Sequence, residues 1–229
     1  MQQAVQAFTP VSALSVESRA TFIWRVYGHV ALAILGFAAI ESYIFSSGMA
    51  NNVLSLMAGT SWLLILGAFL VVGWLGSRVA HTVESKPMQY LALAGVVVAW
   101  SIIFVPMLAY AMQTPGVIDS AVGVTLLGTG GLTAVAFITR KDFSFLRGIL
   151  MWVGVLAIVG IVGSVLFGFE LGTWFSVAMI GFAGAAVLYD TSNILHHYPE
   201  DRYVGAALQL FASIALMFWY VLRLLMARD

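Results

Sequence analysis

The chain has 229 residues, 62% of them apolar and 9% charged, with ten Lys and Arg against ten Asp and Glu. An ordinary globular domain is about 45–50% apolar and about 25% charged, so a molecule wetted on all sides is excluded and an integral membrane protein remains. Zero net charge removes the positive field that nucleic-acid binding uses, and the apolar content excludes a disordered chain.

With no cysteine, disulfides, thiolate metal sites and Cys nucleophiles are excluded as well. Residues 1–20 lack a basic cluster leading into a short apolar run and a small-residue cleavage site. They are expected to be a cytoplasmic tail ahead of a first span that doubles as insertion signal, with residues 21–229 as the membrane domain.

A helix needs about 20 mostly apolar residues to cross the hydrocarbon, and seven runs qualify. Their limits are Trp24 to Phe45, Trp62 to Ser77, Met88 to Tyr110, Ala121 to Thr139, Phe145 to Phe167, Trp174 to Leu195 and Tyr203 to Met226. The second run is the shortest, and its start could lie as early as Leu54. Long continuous runs disfavour barrel strands, so the expected fold class is all-α, polytopic, with seven transmembrane helices.

Orientation follows from the basic residues between spans. Arg19, Arg25, Arg78, Lys86, Arg140, Lys141, Arg147 and Arg202 all flank one side, while connections 46–61, 111–120 and 168–173 hold none. The N-terminus is therefore expected inside and the C-terminus outside, against Arg223 and Arg228 at the chain end. Small residues on the fourth, fifth and sixth spans (Thr125, Thr129, Gly128, Gly160, Gly163, Gly181, Gly184) mark close helix packing rather than a ligand site. Pro106 is expected to kink the third span.

Ionisable residues at membrane depth carry the functional information, since each costs about 2.5 kcal/mol or more unless paired or hydrated. Asp190 lies about sixteen residues into the sixth span, and Arg78 lies at similar depth in the second, so the two are expected to pair. The other readings are a helix-end carboxylate for Asp190 and an interfacial, snorkelling Arg78. Gln209, Ser213 and Tyr220 share one face of the seventh span, with Ser213 near the midplane beside Asp190. Structural hydrogen bonding is the default explanation of that stripe, and an ion path is the alternative. Glu41, Asp119 and Glu170 lie on the outer side and are expected to form an acidic mouth that favours cations. His196, His197, Glu200 and Asp201 lack a defined ligand spacing, so no metal is assigned. Motifs such as G-x-S-x-G, H-E-x-x-H and G-x-x-x-x-G-K are missing, and neither an enzymatic activity nor a cofactor is expected.

The segment Gly184-Ala-Ala-Val-Leu-Tyr-Asp190-Thr-Ser-Asn-Ile194, followed by a short loop and a last span closing on Leu222-Arg223, resembles the signature of the Bax inhibitor (transmembrane Bax inhibitor motif) family. Thr139-Arg-Lys-Asp-Phe-Ser-Phe-Leu146 is similar to its bacterial YccA branch. The resemblance implies seven helices with the last one central. It also implies that Asp190 is half of a buried di-aspartyl sensor whose other half falls on Ser213 here, with Arg78 as the latch. Loss of the second carboxylate removes a shared-proton arrangement and a ligand for a divalent ion.

Two functions follow as expectations. One is a pH-sensitive calcium or cation leak gated by an Asp190–Arg78 pair, with calcium or protons as the transported ions. The alternative is a modulator of a membrane-anchored ATP-dependent protease that engages the N-terminal tail, without transport. A tail of about 20 residues would reach about 65 Å if extended. Either way the partners are the lipid bilayer and, in the second case, the protease complex, and the expected location is a bacterial plasma (inner) membrane.

Overall fold

The computed structural model describes residues 10–227. Eight α-helices follow one another: α1 (Val16–Ser46), α2 (Met49–Ala58), α3 (Trp62–Thr82), α4 (Lys86–Ala111), α5 (Val117–Thr139), α6 (Leu146–Phe167), α7 (Gly172–His196) and α8 (Tyr203–Met226). Seven of them are long and apolar enough to cross a membrane. The eighth, α2, has 10 residues, a rise of about 15 Å, and cannot span. The second crossing therefore begins at Trp62 and not near Leu54, because Gly59 and Ser61 separate α2 from α3.

Hydropathy marks where lipid begins, whereas capping marks where a helix begins, and the two differ at the first span. Ser15 accepts the Ser18 N–H at 3.2 Å, so α1 starts at Val16, eight residues before the apolar run at Trp24. The first described residues are also anchored. Pro10 bridges to Pro199, the Val11 N–H donates to the Tyr198 carbonyl at 2.9 Å, and the Ser12 hydroxyl donates to the His196 carbonyl at 2.9 Å. Val11 is fully buried with Phe22, Val26 and Ile194, a burial worth about 1.5 to 3 kcal/mol. Residues 10–20 are thus part of the folded body and not a tail, which corrects the boundary expected at residue 20. Residues 1–9 of the expected tail lie outside the described residues.

Helix α8 is the axis of the bundle, packed against α1, α3, α4, α5 and α7, as the family resemblance implies. Its first turns can be enclosed because Gly205, Ala206 and Ala207 are small. A Cβ on Gly205 would lie 2.9 Å from the Ala80 carbonyl oxygen, so α3 and α8 touch backbone to backbone there. Gly76 admits the Val96 side chain in the same way and joins α3 to α4. Farther along, Gly184 on α7 faces Leu132 of α5 and Met217 of α8, which confirms the sixth-span glycine as a packing residue. Helix α6 sits at the rim, packed mainly on α7, with Met151, Trp152, Leu156 and Val159 exposed as lipid-facing side chains are.

Candidate functional site

Because successive spans alternate in direction, the C-terminal end of α7 lies at the same face as the start of α1. Asp190, six residues before the end of α7, is therefore about 9 Å below that face. Consecutive helix residues point about 100° apart, so three in a row cover most of the circumference. Asp190, Thr191 and Ser192 use all of it. The Ser213 hydroxyl on α8 donates to Asp190 Oδ2 at 2.5 Å. The Tyr27 hydroxyl on α1 points to Thr191 Oγ1 at 3.5 Å. Ser192 Oγ accepts the Phe143 N–H, in the α5–α6 connection, at 2.9 Å. All three residues are at most 3% exposed. This turn is the point where four parts of the chain are tied together.

Above it lies Tyr198, in the α7–α8 connection. Its hydroxyl is 2.9 Å from His81 Nε2, while His81 Nδ1 is 2.7 Å from the Ser77 carbonyl. A carbonyl only accepts, so Nδ1 carries a proton towards Ser77, and Nε2 is the ring atom that meets the Tyr198 hydroxyl. Burial, followed by the nearby Asp190 and Tyr189, pushes the Tyr198 hydroxyl above the ordinary tyrosine range, so it remains a donor. An open cleft of about 1070 Å³ reaches this point from the N-terminal face, lined by His81, Glu84, Tyr189, Asn193, Tyr198 and Arg202 among others.

The remaining expected site residues are distributed differently. Arg78 does not pair with Asp190: it is exposed, with its guanidinium 5.3 Å from the centre of the Trp74 ring. Depth placed the two at one level, but α3 packs on α4 and α8, whereas α7 packs on α8, α5 and α6, so their side chains face different neighbours. The interfacial, snorkelling reading of Arg78 is the one that fits. Gln209 is half-buried one turn before Ser213, and Tyr220 is buried farther along α8.

An acidic mouth does not assemble. Asp119 and Glu170 are exposed on separate turns, while Glu41 is 6% exposed at the opposite end of the bundle from Asp190. Glu41 lines a cavity of about 250 Å³ whose wall is otherwise almost wholly apolar and includes neither Asp119 nor Glu170. At the N-terminal face, His197 Nε2 lies 2.9 Å from Asp142 Oδ2, and the Ser144 N–H donates to Asp142 Oδ1 at 2.8 Å. The Ser144 N–H, more than the histidine, holds the Asp142 carboxyl below its usual range. Among the described residues no group of three His, Asp or Glu side chains is placed to hold a metal ion.

Sequence reasoning missed His81, Tyr198 and Gly205. His81 and Tyr198 lie 117 positions apart in sequence, and no local pattern announces such a contact. Gly205 sits in an apolar run like any packing glycine, and only the approach of Ala80 distinguishes it.

Seven apolar crossings, the last of them central and pinned to a buried aspartate, define a polytopic membrane protein built about an intramembrane polar centre. The chain belongs to the Bax inhibitor family: the family description "Inhibitor of apoptosis-promoting Bax1" matches residues 19–229. It is 29% identical over 216 residues to a BI1-like protein of Arabidopsis thaliana, covering 91% of this chain and 81% of that one. It is 28% identical to Protein LIFEGUARD 4 of the same plant, over 96% of this chain and 90% of the relative. Over 110 residues, 48% of this chain and 50% of the other, it is 34% identical to the Escherichia coli "Modulator of FtsH protease YccA".

Proposed function

We propose that this protein is a modulator of a membrane-anchored ATP-dependent protease, placed in a bacterial inner membrane with its N-terminal face in the cytoplasm. The similarity to the E. coli FtsH modulator carries the reading. The distribution of Lys and Arg supports the orientation, and the anchored segment at residues 10–12 supplies the physical element. A protease that threads substrates from an end must find a loose segment. Here residues 10–12 are held by Tyr198 and His196. The chain would bind the protease through its N-terminal face yet resist being pulled in, which is the behaviour of a modulator more than of a substrate. The test is turnover of a reporter substrate by the protease in vesicles, with and without this protein. Full-length protein should slow the reporter and survive, whereas Val11→Asp, which expels the strap, should convert it into a rapidly degraded substrate. Equal survival of both forms, or no effect on the reporter, rejects the reading.

Burial of Asp190 on Ser213 favours a second reading, a proton leak reached from the cleft. Calcium takes six to eight oxygen ligands, and one carboxylate with a few hydroxyls falls short of that, so protons fit better. Proton flux into liposomes that is unchanged by Asp190→Asn would reject this path.

A further inference from the structure

Two helices bring matching pairs of side chains to the first residue of α8. Arg25 and His29 are one turn apart on α1 and share a face, as do Lys86 and Tyr90 on α4. Both pairs converge on Tyr203. The Arg25 guanidinium lies 5.5 Å and the Lys86 ammonium 4.5 Å from the centre of its ring. The centre of the His29 ring is 5.2 Å from the same point. The Tyr203 hydroxyl meets the Tyr90 hydroxyl at 3.2 Å, and that hydroxyl meets His29 Nε2 at 3.2 Å. The aromatic groups thus partner one another and fix the spacing of the three helix ends.

The two charges are left without such a partner. Cations this close to one ring centre lie within about one Debye length of each other at about 0.1 M salt, so they repel. The ion pairs among the described residues, His197 with Asp142 and Arg202 with Asp201, involve neither of them. Glu84 and Asp201, the acids closest in sequence to Lys86 and Tyr203, line the cleft at the N-terminal face. Lys86 donates to the Asp201 carbonyl and to Gln89 Oε1, which aim it, while Arg25 is exposed. A guanidinium fork beside a point-charge ammonium is the donor set that suits a phosphate.

Depth says what carries that phosphate. Arg25 follows Trp24, 81% exposed at the start of the apolar run. Leu32 lies farther along the same stripe of α1, and Ala94 lies one turn past Tyr90 on α4; both are exposed, as lipid-facing side chains are. Paired cations at the level where lipid begins, with an apolar strip leading inward, match a headgroup phosphate and its acyl chains. We propose that Arg25 and Lys86, set about Tyr203, bind the phosphate of an anionic phospholipid whose chains run along Leu32 and Ala94. The site lies apart from Asp190 and stands or falls independently of the protease reading.

The experiment uses full-length protein in dodecyl maltoside micelles. The melting temperature is followed against added dioctanoyl phosphatidylglycerol, dioctanoyl phosphatidylcholine or glycerophosphoglycerol, the headgroup without chains. Phosphatidylglycerol should give a saturable rise, and the other two should not. Arg25→Gln and Lys86→Gln should each weaken that binding about fivefold or more, whereas Lys141→Gln, which removes an exposed charge from the α5–α6 connection at the same face, should stay within about twofold of native. An equal rise with phosphatidylcholine, or full affinity in Arg25→Gln, overturns the proposal. Equal weakening by Lys141→Gln would mean unspecific attraction to a basic face and overturns it too. A rise from glycerophosphoglycerol equal to that from the lipid would assign the cations to a soluble phosphate and overturn the lipid assignment. Lys86 also holds the α7–α8 connection, so should Lys86→Gln not fold, Arg25→Gln decides, because its side chain is exposed.

Discussion

Removing the Ser213 hydroxyl is the most direct probe of the polar centre. Ser213→Ala deletes one oxygen, opens almost no cavity and leaves Asp190 Oδ2 buried without its donor. Interhelical hydrogen bonds inside bilayers average about 0.6 kcal/mol and reach about 1.7. This one belongs at the upper end, because 2.5 Å is the short limit for an O–H···O contact and the acceptor is a carboxyl that is only 3% exposed. A loss of about 1 to 2 kcal/mol is expected. At about 2–4 °C per kcal/mol for a chain of this size, the melting temperature in nanodiscs should drop by about 2 to 8 °C. Asp190→Asn keeps shape and an acceptor oxygen, so it should cost less. The double variant should lose less than the sum of the singles, by about 0.5 kcal/mol or more, because both act on the same contact, which Asp190→Asn weakens and Ser213→Ala removes. Additive losses, or a Ser213→Ala protein that melts within 1 °C of the native one, would mean that the two side chains do not hold each other, and the central role given to this turn would fall.

Gly205→Ala should destabilise by about 1 to 3 kcal/mol, since its Cβ would press on the Ala80 backbone, which cannot rotate aside; Gly67→Ala on α3, with nothing within 4 Å, serves as the control in the same melt and should be neutral or mildly stabilising. Arg78→Ala should leave stability and any proton flux within error of the native protein, because the side chain is exposed against Trp74; a large increase in flux would restore it as a latch. Asp142, held below its ordinary 3.8 mainly by the Ser144 N–H, should stabilise the α5–α6 connection fully above about pH 4 and lose that contribution as the pH falls through its lowered value. Stability differences between native protein and Asp142→Asn should therefore shrink on acidification, and a difference that grows in acid would reverse the assigned sign.

Much of this architecture can be read from residues alone, and the parts that cannot share a physical cause. Seven crossings follow from apolar length, and the last one is bounded at Tyr203 and Met226 both by hydropathy and in the structure. The proximity of Ser213 and Asp190 was also legible, since two polar residues at matching depth on adjacent spans have few other partners. Depth fixes one coordinate only. Rotation about the helix axis and choice of neighbour come from packing, which is why Arg78 and Asp190 share a level without meeting. Glu41 shows the same limit: its position near a span end suggested water, yet its direction carries it between α1 and α5 into an apolar wall. The strap at residues 10–12 was invisible for another reason, since its partners, Tyr198 and His196, lie at the far end of the chain.

The two buried carboxyls also constrain what the bundle can conduct. Glu41 and Asp190 lie in opposite halves of the bundle. Between them Met217 of α8 fills the space beside Gly128 and Gly184, 3.5 and 3.3 Å from where their side chains would begin, and Leu132 closes on Gly184 at 3.1 Å. This layer is apolar and close-packed, and a dry layer of that kind blocks ions without any charged gate. Asp190 lies on the N-terminal side of this layer, enclosed below the cleft at Tyr198, and Glu41 lies on the other side of it. A path through this layer would need Met217 to leave its place between α5 and α7. The two carboxyls are thus separated by side-chain packing against two glycines, and Asp190 lies wholly on the N-terminal side of that layer.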